Sequence, residues 1–329
     1  MEHQLRLRVL GLLLVVAYMC FDYLPGRAYG EGEIDDEGFL LGVSDFDLLN
    51  DKGVYDNNSL KEFCREQDPE VKLAADSVVS LWDRDYLLSN GNGTSTLLML
   101  QMDRHARHFH GQDAGFIVWC SGFLVSNDTI LTTHHCLNTT DDGKPMPLES
   151  VVFVFGFRLL DCDRSARWIT IPDGEIYGGQ HILAQDPSRD YAIVRLTREV
   201  ENHRPLKITS RRGHHIASGT PLYLVGHPRG RPLTIARDDQ ESRVVHPSWG
   251  YGFNATVDAF KGNSGSPCIN SLTHEVEGIL SEGLPDFKAD GDLAYYNSAD
   301  GQGEYCFDIS PLADFLEGER RGGGGEEDE

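Results

Sequence analysis

The chain has 329 residues, of which 40% are hydrophobic and 25% charged, and its formal net charge is -23. This is the composition of a globular protein with a sizeable core, which excludes a wholly disordered chain. Because no Lys/Arg-rich patch interrupts the acidity, we expect no nucleic acid as a partner. No apolar stretch of about 18 residues occurs, so we expect no stable membrane insertion.

The first thirty residues have the pattern of a secretory signal peptide. Arg6 and Arg8 precede an apolar run from Val9 to Phe21, and small residues follow at Ala28 and Gly30. An uncleaved anchor or a buried helix is the alternative, but the run is shorter than the roughly 20 residues that a membrane span needs. The sequence therefore predicts a signal peptide over residues 1–30 and a secreted, extracellular protein.

Secretion changes what the cysteines and the glycosylation sequons predict. An even number of cysteines in an oxidising compartment indicates disulfide bonds, and a zinc ribbon is not expected because no CxxC pair occurs. Asn-x-Ser/Thr sequons are typical of a secreted glycoprotein. The six cysteines beyond the signal are Cys64, Cys120, Cys136, Cys162, Cys268 and Cys306, and the sequons begin at Asn57, Asn92, Asn127, Asn138 and Asn254.

Composition along the chain predicts an all-β domain between two irregular ends. Residues 31–53 are acidic and predict a propeptide or a mobile arm, and residues 317–329 predict a disordered Gly-rich, acidic tail. From about Ser77, short β-branched runs alternate with turn residues, which favours a barrel or a sandwich. The runs are SVVSLW (77–82), FIVW (116–119), SVVFVFGF (150–157), YAIVRL (191–196), PLYLVG (221–226) and VEGILS (276–281).

Three segments carry residues that suit nucleophilic catalysis. They are CSGFLVSNDTILTTHHC (120–136), RDYAIVRL (189–196) and KGNSGSPC (261–268). A serine such as Ser264 needs an adjacent base, and His135 can be that base because imidazole is the side chain that ordinarily exchanges protons near neutral pH. A carboxylate such as Asp190 would fix the tautomer of that imidazole. Gly262 and Ser264 can direct their N–H groups at one point, where an oxyanion would form.

In these segments the chain resembles the trypsin/chymotrypsin-like serine peptidases, the peptidase S1 family. TTHHC is similar to the histidine motif, DYAIVRL to the aspartate motif and GNSGSP to the serine motif of that family. The Asn before Ser264 and the Ser after Gly265 resemble the bacterial glutamyl-endopeptidase-like branch, as do the segments VFVFGF, GHPRGRPL and DAFKGNSGSP.

The resemblance implies two six-stranded antiparallel β-barrels with the active site in the cleft between them. It places the peptidase domain at residues 54–316, with barrel 1 at about 75–198, a linker near 199–205 and barrel 2 at about 205–316. It also implies hydrolysis of peptide bonds through an acyl-enzyme, without a cofactor or a metal. The expected partners are polypeptide substrates and a protein inhibitor.

Two assignments within the resemblance have alternatives. The family prefers a small residue where this chain has His134, so either histidine could serve as the base; the position beside Cys136 favours His135. The resemblance implies a Cys120–Cys136 disulfide, which would contribute on the order of 3 kcal/mol. Cys268–Cys306 is a second expected pair, and Cys64 and Cys162 would be left to pair.

The resemblance also predicts a primary specificity pocket. Asp258 stands where the family places the base of that pocket, and Leu280, Ser281 and Gly283 stand on its wall. A carboxylate at the base would favour Arg or Lys in the substrate. Leu280 replaces the histidine of glutamate-specific relatives. Three alternatives remain: cleavage after Glu aided by Lys261, broad or apolar specificity, and an Asp258 that is only a hydrogen-bonded loop residue.

Two other functions compete with the peptidase. A catalytically silent homologue would keep the barrels and the cysteines and act only as a secreted binding module. A metal-binding protein could use His105, His108 and His110 of the segment HARHFH. That segment lacks nearby carboxylate or cysteine partners, so no metal site is predicted.

Overall fold

The computed structural model describes residues 54–55, 59–98, 118–138, 146–162, 168–211, 215–283, 295–296 and 303–322. The chain divides into two units, residues 1–40 and 41–329, and all described residues belong to the second unit. The predicted signal peptide, the acidic segment 31–53 and the HARHFH segment lie outside the described residues, as do residues 323–329.

Short strands dominate the described residues, as the alternation of β-branched runs and turns predicts. The helices are α1 (Pro69–Ala75), α2 (His135–Asn138) and α3 (Ala313–Gly322). The strands are β1 (Val54–Tyr55), β2 (Leu60–Glu62), β3 (Val78–Asp83), β4 (Leu87–Ser89), β5 (Thr94–Leu98), β6 (Val118–Ser126), β7 (Thr129–Thr132), β8 (Val151–Val154), β9 (Trp168–Pro172), β10 (Ile176–Asp186), β11 (Tyr191–Leu196), β12 (Leu222–Gly226), β13 (Thr234–Ala236), β14 (Val244–Trp249), β15 (Gly252–Ala255), β16 (Pro267–Asn270), β17 (Val276–Glu282), β18 (Tyr295–Tyr296) and β19 (Glu304–Asp308).

Six strands close the first barrel in the order β10-β11-β7-β6-β3-β8, and every pairing in it is antiparallel. Alternate side chains along these strands point inward, so the barrel interior fills with apolar residues such as Val79, Leu81, Ile130, Phe153 and Val194. Three further strands form a separate small sheet in the order β4-β5-β9.

The second barrel is built from an eight-stranded sheet with the order β14-β15-β19-β17-β16-β12-β13-β2. Its first six strands curl round, because Pro221 beside β12 bridges Arg243 beside β14. Next to that bridge, Leu222 N donates to Ser242 O at 2.9 Å, and Val244 N donates to Thr220 O at 3.0 Å. The all-β, two-barrel fold predicted from the sequence is therefore confirmed, with β13 and β2 as additional strands.

The segment before barrel 1 belongs to the second sheet. Strand β2 pairs with β13 in register, with Leu60 opposite Ala236 and Glu62 opposite Thr234. Helix α1 follows, and its N-cap Asp68 accepts a hydrogen bond from Glu70 N at 3.0 Å. A disulfide joins Cys64 to Cys162, with their Cα atoms 5.8 Å apart. Residues 60–62 thus join the second sheet, although they precede all strands of the first barrel in sequence.

The predicted disordered tail is wrong for residues 317–322, because α3 continues through them. Leu316 is buried against the core. Arg320 donates to two carbonyl oxygens of the domain, those of Val125 and Leu206, and Glu319 pairs with Arg195. These contacts hold the last helical turns on the domain, although the sequence there is charged. No described helix is long and apolar enough to cross a membrane.

Candidate active site

The histidine motif lies at the end of a β-hairpin in the first barrel. Strand β6 carries Cys120, β7 returns beside it, and the chain then turns into the short helix α2, which begins at His135. A disulfide joins Cys120 to Cys136, with 6.0 Å between their Cα atoms. Because Cys136 directly follows His135, this bond fixes the helix to the strand and restrains the backbone of His135.

Asp190 binds His135 through both of its oxygens. Its Oδ1 accepts a hydrogen bond from the backbone N–H of His135 at 3.0 Å, and its Oδ2 lies 2.7 Å from His135 Nδ1. Ser281 Oγ also donates to Oδ2, at 2.5 Å. Asp190 has a φ of 54°, a left-handed conformation that is uncommon for a residue other than glycine. These three hydrogen bonds hold it in that conformation.

The charge state of Asp190 follows from the same contacts. Burial raises its pKa, but the hydrogen bonds and the charge of His135 lower the pKa by more, and Ser281 adds to that effect. The net result is a pKa below the ordinary aspartate value, so the carboxylate stays ionised at neutral pH. An ionised Asp190 requires the proton of the neutral imidazole to sit on Nδ1, which leaves a lone pair on His135 Nε2.

The two adjacent histidines have different partners. The ring of His134 lies against Asn138, whose side-chain amide is 3.3 Å from His134 Nδ1. The ring of His135 contacts the Asp190 carboxylate instead. This geometry favours His135 over His134 as the base, as the position beside Cys136 predicts.

Ser264 lies in a tight loop before β16, and the loop needs glycine at two positions. Gly262 has a φ of 98° and Gly265 a φ of 86°. A Cβ on Gly262 would lie 2.6 Å from the carbonyl oxygen of His227, and one on Gly265 would lie 2.0 Å from that of Ser121. Both positions therefore require glycine for conformation and for space.

Contacts from the first barrel fix this loop. Ser121 N donates to Ser264 O at 2.8 Å, and the Ser121 hydroxyl donates to Gly262 O at 2.9 Å. Cys136 Sγ lies 3.7 Å from Ser264 O. Since Cys136 adjoins His135, these contacts bring the serine segment against the histidine segment.

The orientation of the Gly262 peptide suits an oxyanion site. The carbonyl oxygen of Lys261 accepts a hydrogen bond from Arg229 N at 2.5 Å. The N–H and C=O of a trans peptide point in opposite directions, so the Gly262 N–H points away from Arg229. Among the described residues, no acceptor is hydrogen-bonded to the N–H groups of Gly262 or Ser264. Both donors can therefore serve an incoming oxygen.

A pocket of about 200 Å³ opens beside Ser264. Of the predicted pocket residues, Leu280, Ser281 and Gly283 line it. Ser281 is also the residue that donates to Asp190, so the pocket wall and the His135–Asp190 pair share a side chain. The full lining is Ala259, Phe260, Lys261, Ser264, Leu280, Ser281, Glu282, Gly283 and Glu304.

Asp258 occupies a different place from the predicted one. It is buried, and among the described residues that line the pocket it does not appear. Its Oδ2 accepts hydrogen bonds from the backbone N–H of Ser59 at 2.8 Å and from the Ser59 hydroxyl at 2.6 Å. Because the segment before β2 folds onto the second sheet, Ser59 reaches Asp258 and binds its carboxylate. This is the hydrogen-bonded alternative considered for Asp258 above.

The other predicted cysteine pairs also form. Cys268 in β16 is bonded to Cys306 in β19, and Cys64 to Cys162. Ligand atoms of Cys120, His135 and Cys136 lie within 4.8 Å of one another, a spacing that a metal ion could use. Because both sulfurs are joined in a disulfide, they are not thiolates and do not suit a metal ion.

Sequence analysis did not predict three residues that contribute to the site. Glu304 lines the pocket, Ser121 fixes the serine loop, and Arg229 orients the Gly262 peptide. Arg229 lies in the segment GHPRGRPL, which resembles the family. The sequence of this segment does not indicate that Arg229 would donate a hydrogen bond to Lys261 O. Glu304 carries no motif at all, and only strand pairing brings it to the pocket.

Comparison with known proteins agrees with the fold. Residues 120–279, which include all three motif segments, match the family model of the trypsin-like peptidase domain. A search of curated proteins finds no match. The bacterial glutamyl-endopeptidase-like branch stays a prediction.

The solved structures that are similar to the chain include the following three. An inactive mutant of Rv3671c from M. tuberculosis H37Rv is 15% identical, with a TM-score of 0.42, and the match covers 79% of this chain and 94% of that one. The active form of the Rv3671c protease from M. tuberculosis is 16% identical over 76% of this chain and 83% of that one, with a TM-score of 0.43. The VesB protease of Vibrio cholerae is 16% identical over 78% and 67%, with a TM-score of 0.44.

Proposed function

We propose that this chain, whose residues 120–279 match a trypsin-like peptidase domain, is a secreted serine endopeptidase. The family match supports a peptidase that acts on polypeptides. The observation that carries the serine mechanism is the pairing of His135 Nδ1 with Asp190 Oδ2 at 2.7 Å, beside a pocket lined by Ser264. We also propose cleavage after a basic residue, Arg or Lys, and control by a protein inhibitor.

The proposed reaction begins with attack of Ser264 Oγ on the scissile carbonyl carbon. The hydroxyl proton passes to the lone pair on His135 Nε2, and Asp190 stabilises the imidazolium that forms. The carbonyl oxygen becomes an oxyanion, which accepts hydrogen bonds from the N–H groups of Gly262 and Ser264. Preorganised donors of this kind cost no reorganisation when the charge develops.

Collapse of the tetrahedral intermediate breaks the C–N bond. His135 gives its proton to the leaving amine, and the acyl group stays on Ser264 as an ester. A water molecule then attacks this ester while His135 takes its proton. The second collapse releases the carboxylic acid product and returns the proton to Ser264 Oγ.

Labelling with a fluorophosphonate tests the serine mechanism. The secreted protein should form a covalent adduct on Ser264, and hydrolysis of a peptide substrate should disappear as the adduct forms. Ser264→Ala should give neither label nor hydrolysis, and Ser266→Ala is the matched control in the same loop. A folded wild-type protein without label would instead be the silent binding module. N-terminal sequencing of the secreted protein tests removal of residues 1–30.

A further inference from the structure

One irregular segment carries both a wall of the pocket and an oxyanion donor. Residues 256–266, between β15 and β16, form neither strand nor helix. Within them, residues 258–262, here called the pocket segment, include the lining residues Ala259, Phe260 and Lys261 and end at Gly262. Since no strand ladder covers the pocket segment, individual hydrogen bonds fix its position.

Hydrogen bonds hold the pocket segment near both of its ends. Near its end, the carbonyl oxygen of Lys261 accepts a hydrogen bond from Arg229 N at 2.5 Å. At its start, Asp258 Oδ2 accepts two hydrogen bonds from Ser59, one from the backbone N–H at 2.8 Å and one from the hydroxyl at 2.6 Å. Asp258 is buried, and Ser59 lies 199 residues away in sequence. A residue from the N-terminal part of the chain thus binds the first residue of the pocket segment.

The second sheet holds Ser59 itself in place. Ser59 directly precedes β2, whose buried Leu60 lies opposite Ala236 in β13. The carbonyl oxygen of Ser59 accepts a hydrogen bond from Arg237 N at 3.4 Å, which continues the pairing of β2 with β13 by one residue. Ser59 therefore links the start of the pocket segment to the register of the sheet.

We infer that Ser59 is a positioning residue: by binding Asp258, it holds the pocket wall of residues 259–261 in the place that a substrate side chain requires. This inference rests on the proposed peptidase function and adds a residue that acts on its substrate binding. Neither Ser59 nor Asp258 is among the described residues that line the pocket. Their effect on the substrate passes through the backbone of the pocket segment.

The variant Ser59→Ala in the full secreted chain tests this role, because it removes the hydroxyl and keeps the backbone N–H. We expect kcat/KM for peptide substrates to fall about tenfold, mainly through a higher KM, as for the loss of one hydrogen bond that aids binding. Hydrolysis of p-nitrophenyl acetate should change little, because this small ester reacts at Ser264 without filling the pocket. Ser59→Thr keeps a hydroxyl and should cleave peptides nearly as well as the wild type.

Ser95→Ala is the matched control. Ser95 Oγ donates to Asp173 Oδ1 at 2.7 Å, a contact of the same kind, and Ser95 lies in the small sheet β4-β5-β9. Neither of these two residues is among the described residues that line the pocket. Urea unfolding should show similar losses of stability in Ser95→Ala and Ser59→Ala, but only Ser59→Ala should raise KM. Equal increases of KM in both variants, or a wild-type KM in Ser59→Ala, would overturn the role of Ser59.

A double-mutant cycle links the effect to Asp258. When Asp258 is already alanine, Ser59→Ala should change kcat/KM by less than about twofold, because the acceptor of the hydroxyl is absent. A further loss as large as in the wild-type background would mean that the hydroxyl acts through another residue, which contradicts the inference.

Hydrogen exchange of the wild type does not depend on whether the variants fold. A peptidyl phosphonate labels Ser264 and places a side chain in the pocket, whereas a small fluorophosphonate labels Ser264 and leaves the pocket open. Coupling between two sites is reciprocal, so the filled pocket should slow exchange of the Ser59 N–H by at least about threefold relative to the small adduct. The same exchange rate in both adducts would show that Ser59 and the pocket are not coupled.

The labelling experiment distinguishes failure of this inference from failure of the proposed function. If the wild type labels on Ser264 and Ser59→Ala keeps the wild-type KM, the chain is a serine peptidase and only the role of Ser59 fails. A folded wild type that does not label at all removes both proposals together.

Discussion

The His135–Asp190 pair and the Ser264 loop are positioned by different kinds of contact. His135 follows β7 and Asp190 precedes β11, and these strands pair directly, with Thr132 opposite Ala192. The register of one barrel therefore places both residues of the pair. The serine loop instead depends on individual hydrogen bonds from residues in separate segments, such as Ser121 and Arg229.

This difference suggests two classes of mutational effect. Changes to the pair remove a chemical group that takes part in the reaction itself. Changes to the contacts around the loop leave every reacting group in place but loosen its alignment. The first class should abolish turnover, and the second should reduce it by degrees.

The largest expected effect comes from breaking the pair. His135→Ala should lower kcat by roughly 10⁴-fold or more, since loss of the base leaves only the oxyanion site and substrate binding. His134→Ala is the matched control, because His134 contacts Asn138 and not Asp190. Steady-state peptide hydrolysis by both variants checks this. Normal turnover in His135→Ala with loss in His134→Ala would move the base by one residue.

Removing disulfides separates stability from catalysis. The Cys64–Cys162 bond closes a loop of 98 residues and the Cys120–Cys136 bond one of 16. Replacing Cys64 and Cys162 by alanine should therefore lower the unfolding free energy by about 4.7 kcal/mol. Replacing Cys120 and Cys136 should lower it by about 3 kcal/mol.

Activity should rank the two disulfide variants in the reverse order. Loss of Cys120–Cys136 frees the backbone beside His135 and should lower kcat more, even though the fold loses less stability. Denaturant unfolding and peptide hydrolysis of the two double variants measure both quantities. A larger kcat loss without Cys64–Cys162 would contradict this ranking.

A third comparison uses a buried histidine outside the pair. His203 is hydrogen-bonded to Asp76 at 2.9 Å and to Glu175 at 2.5 Å. Burial lowers its pKa, but the two carboxylates outweigh this and raise the pKa to about 9. A raised folded-state pKa gives stability that is complete below the unfolded-state value near 6.5 and is lost as pH rises through about 9.

The unfolding free energy of the wild type should therefore fall between pH 6.5 and pH 9, by on the order of 2 kcal/mol. His203→Gln should be less stable at pH 6.5 and should lose most of this pH dependence. Urea titrations at several pH values measure it. A wild type and a His203→Gln variant with parallel stability curves over this range would contradict the assignment.

The smallest effect should come from the serine loop. Ser121→Ala removes the hydroxyl that donates to Gly262 O and accepts from His227 N at 3.0 Å. We expect kcat to fall about tenfold with little change in KM, because the oxyanion donors lose alignment without losing their identity. Ser126→Ala, in the same strand, is the control for stability. Equal kcat losses in both variants would mean that the effect is not specific to the loop.

The sequence predicts the residues of the site that lie in local motifs. The motif segments lie at strand ends, so their order and spacing predict His135, Asp190 and Ser264 as a group; in the structure His135 pairs with Asp190, and Cys136, next to His135, lies against the backbone of Ser264. The strands themselves were predictable because β-branched runs alternate with turns. Both predictions, of the site residues and of the strands, rest on local sequence patterns.

What the sequence could not predict depends on long-range pairing. Asp258 was expected to line the pocket, but it does not, and Ser59, which is 199 residues distant in sequence, binds its carboxylate. Glu304 lines the pocket because β19 pairs with β17. The final helix was missed since its charged residues, such as Arg320, are held by distant carbonyl groups. None of these contacts has a local signature.

The attachment of β2 to the second sheet also constrains how the chain can fold. Strand β2 precedes the whole first barrel in sequence, yet its partner β13 lies more than 170 residues later, with Leu60 opposite Ala236. Loop closure over such a distance is slow, and a topology with many non-local pairings has a high contact order. During synthesis, β2 leaves the ribosome among the first strands, but it cannot pair until β13 has been made more than 170 residues later. The strands of the first barrel end at Leu196, so that barrel can close before this edge of the second sheet forms.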